Sequence, residues 1–347
     1  MAVTIRDVAR AAGVSASTVS RALSNPGMVD AATRERVTAM AEHLGYRPNR
    51  AARGLITGRT GNLGLILPDL ANPFFPSIVK GIQQQAHDSD YQVFVADTDE
   101  QPDAEIGLVR ALAKQVDGII LCSPRMSTSD LREAAGLTPL ILLNRRAASI
   151  PAVTIDNSAG TAQIVDHLAA LGHTRIGWVA GPRTSWSSKE RVRGLRSACT
   201  AQSVELVELG NFAPTFEGGR DSAEAVVLSG VTAVVGYNDL VALGLVGALR
   251  QRGLEVPTQL SVVGIDDIPT STMVEPALTT LAVPKEKSGR AAVDLLLTVM
   301  NDPERRTPAT RVMPLELVVR QTTGPAPTPT TTTKTRSTTT TTRRPRR

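Results

Sequence analysis

The sequence predicts a small all-α module followed by an α/β core of two doubly wound lobes. Three observations predict it. Three short, capped helical stretches crowd into the first 45 or so residues. After residue 60, continuous Val/Ile/Leu runs alternate with amphipathic stretches, the pattern of a parallel sheet covered on both faces. Some 260 residues of such units exceed one compact sheet, so two similar lobes with a ligand cleft between them are expected.

In the N-terminal module, Thr4 is placed to cap a helix over 5–12, with Asp7 near its positive end. Gly13 ends that helix and Ser15 can cap a second, predicted over 16–23. In the second, Val19, Ala22 and Leu23 form an apolar stripe, whereas Ala16, Ser17, Ser20 and Arg21 make an outer face of small hydroxyls and one arginine. Asp30 or Thr33 opens a third helix, whose inward stripe is Val37, Met40, Ala41 and Leu44. Gly45 stops it and Pro48 forbids continuation. The first two helices, joined by "AGVS", have helix-turn-helix spacing.

Strands are predicted over 63–67, 92–96, 118–122, 140–143, 176–180, 233–236 and 261–265. Helices are predicted between them, over 77–89, 104–114, 159–171, 190–202 and 240–250. Residues 321–347 are dominated by Thr and Pro and offer no apolar side chain to anchor a core. Disorder is expected there.

Charge is unevenly divided. Residues 1–60 hold nine Arg and four acids, a net of +5, and residues 61–320 carry a net of −6. The last 27 residues hold six basic side chains and no acid. A basic head on an acidic body is the asymmetry expected where one end meets a polyanion. No apolar run approaches the roughly 20 residues of a membrane helix, and "MAVTIRDVAR" lacks an apolar signal core, so a cytoplasmic protein without membrane contact is expected. Cys122 and Cys199 stand far apart and read as reduced, buried thiols. The four His show no metal spacing, no G-x-x-x-x-G-K-[ST] loop occurs, and "GLRSACT" lacks the glycines of a nucleophile elbow. No catalysis, metal or cofactor is expected.

"TIRDVARAAGVSASTVSRALSNP" followed by "RPNRAARGL" resembles the DNA-binding headpiece and hinge of the LacI/GalR family of bacterial repressors. "LGLILPDLANPFF", "VDGIIL", "LGHTRIGWVAG", "VVGYNDLVALG", "VVGIDDIP" and "PALTTLAVP" resemble that family's core, which is similar to the periplasmic sugar-binding proteins. The likeness covers roughly residues 3–320 in the family's order. It implies a headpiece at 1–47, a hinge helix and linker at 48–60, a ligand-binding and dimerisation core at 61–320, and a tail at 321–347.

The resemblance also implies roles. Ala16 and Ser17 match the variable base readers near the recognition-helix start. Arg21 matches a basic reader able to make two hydrogen bonds to guanine. Thr18, Ser20 and Ser24 match phosphate contacts, and the capping residues Thr4 and Ser15 join this DNA-facing set. Ser24 stands where asparagine is common. Residues 49–56 are too few for a helix stable alone. By the resemblance they fold on DNA, paired in a homodimer, with Leu55 as a minor-groove wedge. Ala52 permits close approach of the two hinge helices, Arg53 reaches the DNA backbone, and Asn49 opens the segment.

Ligand candidates lie in the core's loops. Asn72, Phe74 and Phe75 follow the first strand, and Asn144 and Arg145 follow the fourth. Arg191 matches the family arginine that grips hydroxyls, Phe212 matches a cleft aromatic, and Asn238, Asp239 and Asp266 follow strands of the second lobe. Trp186 is a lid candidate. Carboxylates, arginine and aromatic planes together suit a sugar or sugar derivative. The implied function is a homodimeric, ligand-responsive repressor of carbohydrate genes on palindromic double-stranded DNA, with half-sites about one helical turn apart. The alternative is a carbohydrate-binding protein without a regulatory role. The absent signal core and the first 60 residues weigh against that alternative. The tail shows no apolar heptads, so no zipper is expected.

Overall fold

The computed structural model describes residues 3–24, 26–46, 58–302 and 309–327. The N-terminal module is three helices: α1 (Ile5–Ala12), α2 (Ala16–Ser24) and α3 (Ala31–His43). The Asp7 carboxylate takes both the amide (3.0 Å) and the hydroxyl (2.7 Å) of Thr4, closing the start of α1. Gly13 ends it at φ 65°, where a side chain would be strained. Val8, Val19 and Val37, one from each helix, are fully buried against one another's neighbours and form the small core.

The first lobe runs β1 (Asn62–Leu67), α4 (Phe74–Asp88), β2 (Gln92–Asp97), α5 (Pro102–Leu112), β3 (Gly118–Cys122), α6 (Thr128–Leu137), β4 (Leu140–Leu143) and β5 (Ala152–Ile155). The second runs α7 (Asn157–Ala170), β6 (Arg175–Ala180), α8 (Trp186–Ala201), β7 (Glu205–Asn211), α9 (Phe216–Asp221), α10 (Ala223–Ser229), β8 (Ala233–Gly236), α11 (Asp239–Gln251), β9 (Ser261–Asp266) and β10 (Thr279–Ala282). Helix α12 (Lys285–Asn301) and strands β11 (Thr310–Met313) and β12 (Glu316–Val318) complete the core.

Each sheet has six strands, ordered β11-β5-β4-β3-β1-β2 and β12-β10-β9-β8-β6-β7. All pairings are parallel except β10 with β12. Interior strands such as β3, β4 and β8 are buried at every position, as continuous apolar runs require when helices cover both faces. Strand order reverses between β1 and β3 in one lobe and between β6 and β8 in the other. Those are the points where doubly wound sheets open a crevice at the carboxyl ends of their strands.

The chain passes between lobes three times: from β5 to α7, from β10 to α12, and from β11 to β12. Helix α12 packs on α4 and beneath β3–β5, so it belongs to the first lobe. The two helices approach closely because Gly81 and Gly289 face the opposing backbone; a Cβ there would lie 2.3 Å from the Glu286 carbonyl oxygen and 2.5 Å from that of Ile78.

Three sequence expectations are corrected. Order continues past residue 320: Thr322, 1% exposed, accepts the Thr279 amide (2.9 Å) and donates to the Val262 carbonyl (2.7 Å). The Ala326 amide donates to the Leu171 carbonyl (2.8 Å). The anchor is polar and main-chain, which an apolar count overlooks; residues 328–347 lie outside the described residues. Helix α8 starts at Trp186, not 190, because the Ser185 hydroxyl accepts the Ser188 amide (3.1 Å). Helix α4 starts at Phe74, not 77, through Asn72, whose side-chain oxygen accepts the Phe74 amide (3.0 Å).

Both cysteines are buried free thiols, pushed up by burial to about 12 for Cys122 and about 11 for Cys199. Among the described residues no His/Cys/Asp/Glu cluster could hold a metal, and no helix is long and apolar enough to cross a membrane.

Candidate ligand cleft and DNA-facing helix

The carboxyl ends of both sheets meet in one polar cleft. From the first lobe come Asn72, Phe74 and Phe75 after β1, Glu100 after β2, Ser123 and Arg125 after β3, and Asn144 after β4. The two phenyl rings stand edge to face, 5.1 Å apart at 82°, and fix one another's orientation. From the second lobe come Ser187 and Arg191 on α8, Pro214 after β7, Tyr237 and Asn238 after β8, and Asp266 at the end of β9.

Two arginines are held differently. Arg125 makes a two-point contact with Glu100, 2.8 and 2.9 Å. Burial works against its charge, yet the Tyr237 phenol and the Glu100 carboxylate outweigh it and raise its pKa. Arg191 donates to the Tyr237 carbonyl (2.5 Å), stacks 5.1 Å from that ring's centre, and reaches Asp266 only at 3.4 Å. Its Nε has no hydrogen-bond partner among the described residues, nor has Asn144 Oδ1 across the cleft. Each such orphan costs about 1–3 kcal/mol when buried. Burial pushes the Asp266 carboxyl up to about 7; Arg191 and Lys285 oppose the rise and Asp239 adds to it.

Four lining residues, Glu100 (φ 54°), Ser123 (49°), Asn144 (59°) and Asp266 (131°), hold left-handed backbone conformations that favour glycine. Non-glycine residues persist there only when their surroundings over-determine them. Ser187 donates across the cleft to the Asn144 carbonyl (3.3 Å), so the lobes touch directly. The space enclosed is about 30 Å³. That admits water, whereas small-molecule sites run to roughly 300 Å³ and more. A larger hollow, about 670 Å³, lies at the lobe crossovers beside Val283, Pro284 and Leu315.

Of the ten residues the sequence nominated, seven line this cleft together: Asn72, Phe74, Phe75, Asn144, Arg191, Asn238 and Asp266. Three do not. Asp239 is fully buried, and its carboxylate accepts from the Ile268 amide (2.9 Å), Ser271 (2.7 Å) and Thr280 (2.5 Å), which fixes the loop after β9. Arg145 ties down the loop after β3 through the carbonyls of Pro124 (2.9 Å) and Met126 (2.7 Å). Phe212 packs against the second lobe's apolar core. Sequence reasoning missed Glu100, Ser123, Arg125, Ser187, Pro214 and Tyr237. For Ser123 and Tyr237 a signal existed, since each directly follows a predicted strand.

On the N-terminal module, α2 buries Val19 and Ala22 and exposes Ser17 and Arg21, with Ala16, Thr18 and Ser20 half-buried. Ser15 is exposed and its hydroxyl accepts the Thr18 amide (3.1 Å), while Thr4 is exposed at the start of α1. The Ser24 side chain and all of Asn49, Ala52, Arg53 and Leu55 lie outside the described residues.

A helix-turn-helix module heading two parallel-sheet lobes that enclose a polar cleft defines a ligand-responsive, DNA-binding transcription regulator. Residues 4–49 match the bacterial regulatory proteins of the lacI family, and residues 60–320 match the periplasmic binding proteins and sugar binding domain of LacI family. The chain therefore belongs to the LacI family of bacterial regulatory proteins, whose members are DNA-binding regulators rather than enzymes.

It is 34% identical to the HTH-type transcriptional repressor CytR of Escherichia coli K12, across 93% of this chain and 96% of CytR. Catabolite control protein A of Priestia megaterium is 34% identical across 87% of this chain and 93% of its own length. Among solved structures, the lac repressor dimer bound to operator and the anti-inducer ONPF superimposes with a TM-score of 0.82 at 30% identity, covering 93% of this chain and all of that one. The transcriptional regulator CelR–cellobiose complex gives 0.68 at 29% identity, covering 92% of this chain and 99% of that one.

Proposed function

We propose that this protein is a cytoplasmic, homodimeric repressor of carbohydrate uptake or catabolism genes, released or engaged by a sugar or sugar derivative bound between its lobes. The reading divides the chain into a headpiece at 1–47, a hinge and linker at 48–60 and a ligand-binding core from 61. Packing of the core continues past residue 320 at Thr322 and Ala326. One observation carries it: two buried polar atoms on opposite lobes, Arg191 Nε and Asn144 Oδ1, have no hydrogen-bond partner among the described residues, in a cleft that a DNA-binding headpiece precedes. A hydroxyl can accept from the first and donate to the second, so a polyol spanning both lobes satisfies the pair. The aromatic rings of Phe74 and Phe75, which line the cleft, suit the C–H face of a sugar ring. No step of this function calls for a cofactor or metal.

In this reading Ala16, Ser17 and Arg21 read base edges, and Thr4, Ser15, Thr18, Ser20 and Ser24 set register on phosphates. Asn49, Ala52, Arg53 and Leu55 act in the hinge. A ligand that favours one lobe orientation changes the hinge's folding equilibrium on DNA only by its difference in affinity for the two orientations.

The deciding experiment is selection of duplexes from a random pool, followed by competition gel shift. The full chain is expected to prefer a palindrome, and a chain lacking residues 1–60 is expected to bind none. Arg21→Ala is expected to lose about 1–3 kcal/mol of discrimination at one base pair per half-site. A full-length chain with no preference over competitor DNA would end the repressor reading in favour of a carbohydrate-binding protein.

A further inference from the structure

The linker's core end is held by side chains that neither the cleft nor the headpiece uses. Asp117 directly precedes the interior strand β3, at the amino ends of the first sheet's strands and so opposite the cleft. Its Oδ1 accepts the Thr60 amide (2.7 Å) and the Thr60 hydroxyl (2.9 Å), and its Oδ2 accepts the Gly61 amide (2.9 Å). Gly61 turns at φ 71°, which brings two successive N–H groups onto one carboxylate. One residue earlier, Arg59 donates to the Asn301 side-chain oxygen (2.9 Å), at the last residue of α12.

The other end of α12 touches the cleft. Its first residue, Lys285, donates to the carbonyls of Asp266 (2.5 Å) and Asp267 (2.8 Å), the left-handed corner that presents the cleft's carboxylate. Seventeen helical residues make a rod of about 25 Å. One rigid element of the first lobe therefore contacts a second-lobe corner at one end and the linker at the other.

We propose that Asp117 and Asn301 are positioning residues that clamp the linker onto the first lobe, so that lobe orientation reaches the DNA-binding end without slack. The inference rests on the regulator reading above. Asp117 touches no DNA in this scheme. It acts by removing backbone freedom from residues 59–61 before DNA is met, freedom that would otherwise be lost on binding.

The test uses the full-length chain, the duplex selected for it, and a random-sequence duplex of equal length. Asp117→Ala is expected to bind the selected duplex about tenfold more weakly, about 1.4 kcal/mol. Affinity for random duplex, the slope of affinity with salt, and the melting temperature are expected to stay at wild-type values, since no phosphate contact and no core packing is lost. Amide exchange at Thr60 and Gly61 is expected to quicken. Asp117→Asn, which keeps one acceptor oxygen, is expected to fall between, and Asn301→Ala to weaken selected binding in the same direction.

Undiminished binding of the selected duplex by Asp117→Ala, with residues 60 and 61 newly exchanging, would overturn the proposal. So would equal losses on both duplexes with a lowered melting temperature, which mark a merely structural aspartate. Failure to select any preferred duplex would instead sink the regulator reading, and the clamp's purpose with it.

Discussion

Asp266 concentrates the residue-scale physics. It ends β9 at φ 131°, is buried, and meets Arg191 through one 3.4 Å contact. Burial lifts its carboxyl from the ordinary 3.8 to about 7. Between those values the folded protein holds a proton that the unfolded chain has released. This contribution to stability is therefore complete below about pH 4 and lost as pH rises through 7, roughly 4 kcal/mol across the window. Asp266→Asn is expected to flatten that component. Urea denaturation from pH 4 to 8 reads it, and parallel curves for wild type and variant would refute the assignment. His167 and His173, lowered by burial, slope the opposite way, so the difference between the two proteins is the quantity to read. At this scale the sequence was legible where a motif fixed the position, as for Arg191 and Asn238. It could not separate Asp266 from Asp239. Both are acids at strand ends, and only the fold turns one into the cleft and the other onto Ser271 and Thr280.

Among elements, six interior strands were readable, whereas the short interior strands β5 and β10 and the inter-lobe connections were not. Continuous apolar runs mark β1, β3, β4, β6, β8 and β9 because both their faces are covered. Edge strand β7, half-exposed along its length, carries no such run, and β11 and β12 are short and join sheets begun far earlier in the chain. No local pattern encodes pairing across 150 residues. The glycines at the α4–α12 contact are a sharper matter. Gly289→Ala places a methyl 2.5 Å from the Ile78 carbonyl oxygen and 3.0 Å from the Ile82 nitrogen, backbone that cannot turn aside. Overpacking of this kind costs about 1–3 kcal/mol. Gly107→Ala, inside α5 with nothing within 4 Å of the new carbon, is expected to stabilise by up to about 1 kcal/mol through helix propensity. Thermal denaturation of the two variants should move in opposite directions; a shared direction would mean that backbone entropy, not contact, governs both sites.

At the scale of the whole molecule, the three crossovers and the closed cleft set how a ligand can enter. Pro284 and Pro314 stand in two of the three connections, where a fixed φ leaves few bonds about which the lobes could bend. The enclosed 30 Å³ is far too small for a sugar, and Ser187 already bridges to Asn144. Binding must therefore wait for a separated arrangement of the lobes, and a waiting step has a kinetic signature. If the closed form predominates in the free protein, the observed association rate rises with ligand concentration and then levels at the opening rate. Trp186 opens α8 immediately before Ser187, so its fluorescence should follow the lobes in stopped flow. The probe is whichever sugar most raises the melting temperature in a thermal-shift screen, where a ligand at 100 times its Kd adds about 2.7 kcal/mol. A plateau is expected with wild type. Ser187→Ala removes a bond made only when the lobes meet, and should raise the plateau and raise the initial slope by at least as much, because the open fraction grows with the opening rate. A rate that climbs linearly to the highest concentration would show instead that the cleft stands open before the ligand arrives. The orphaned Arg191 and Asn144 atoms would then meet water rather than one another's lobe, and their claim on a bridging hydroxyl would lapse.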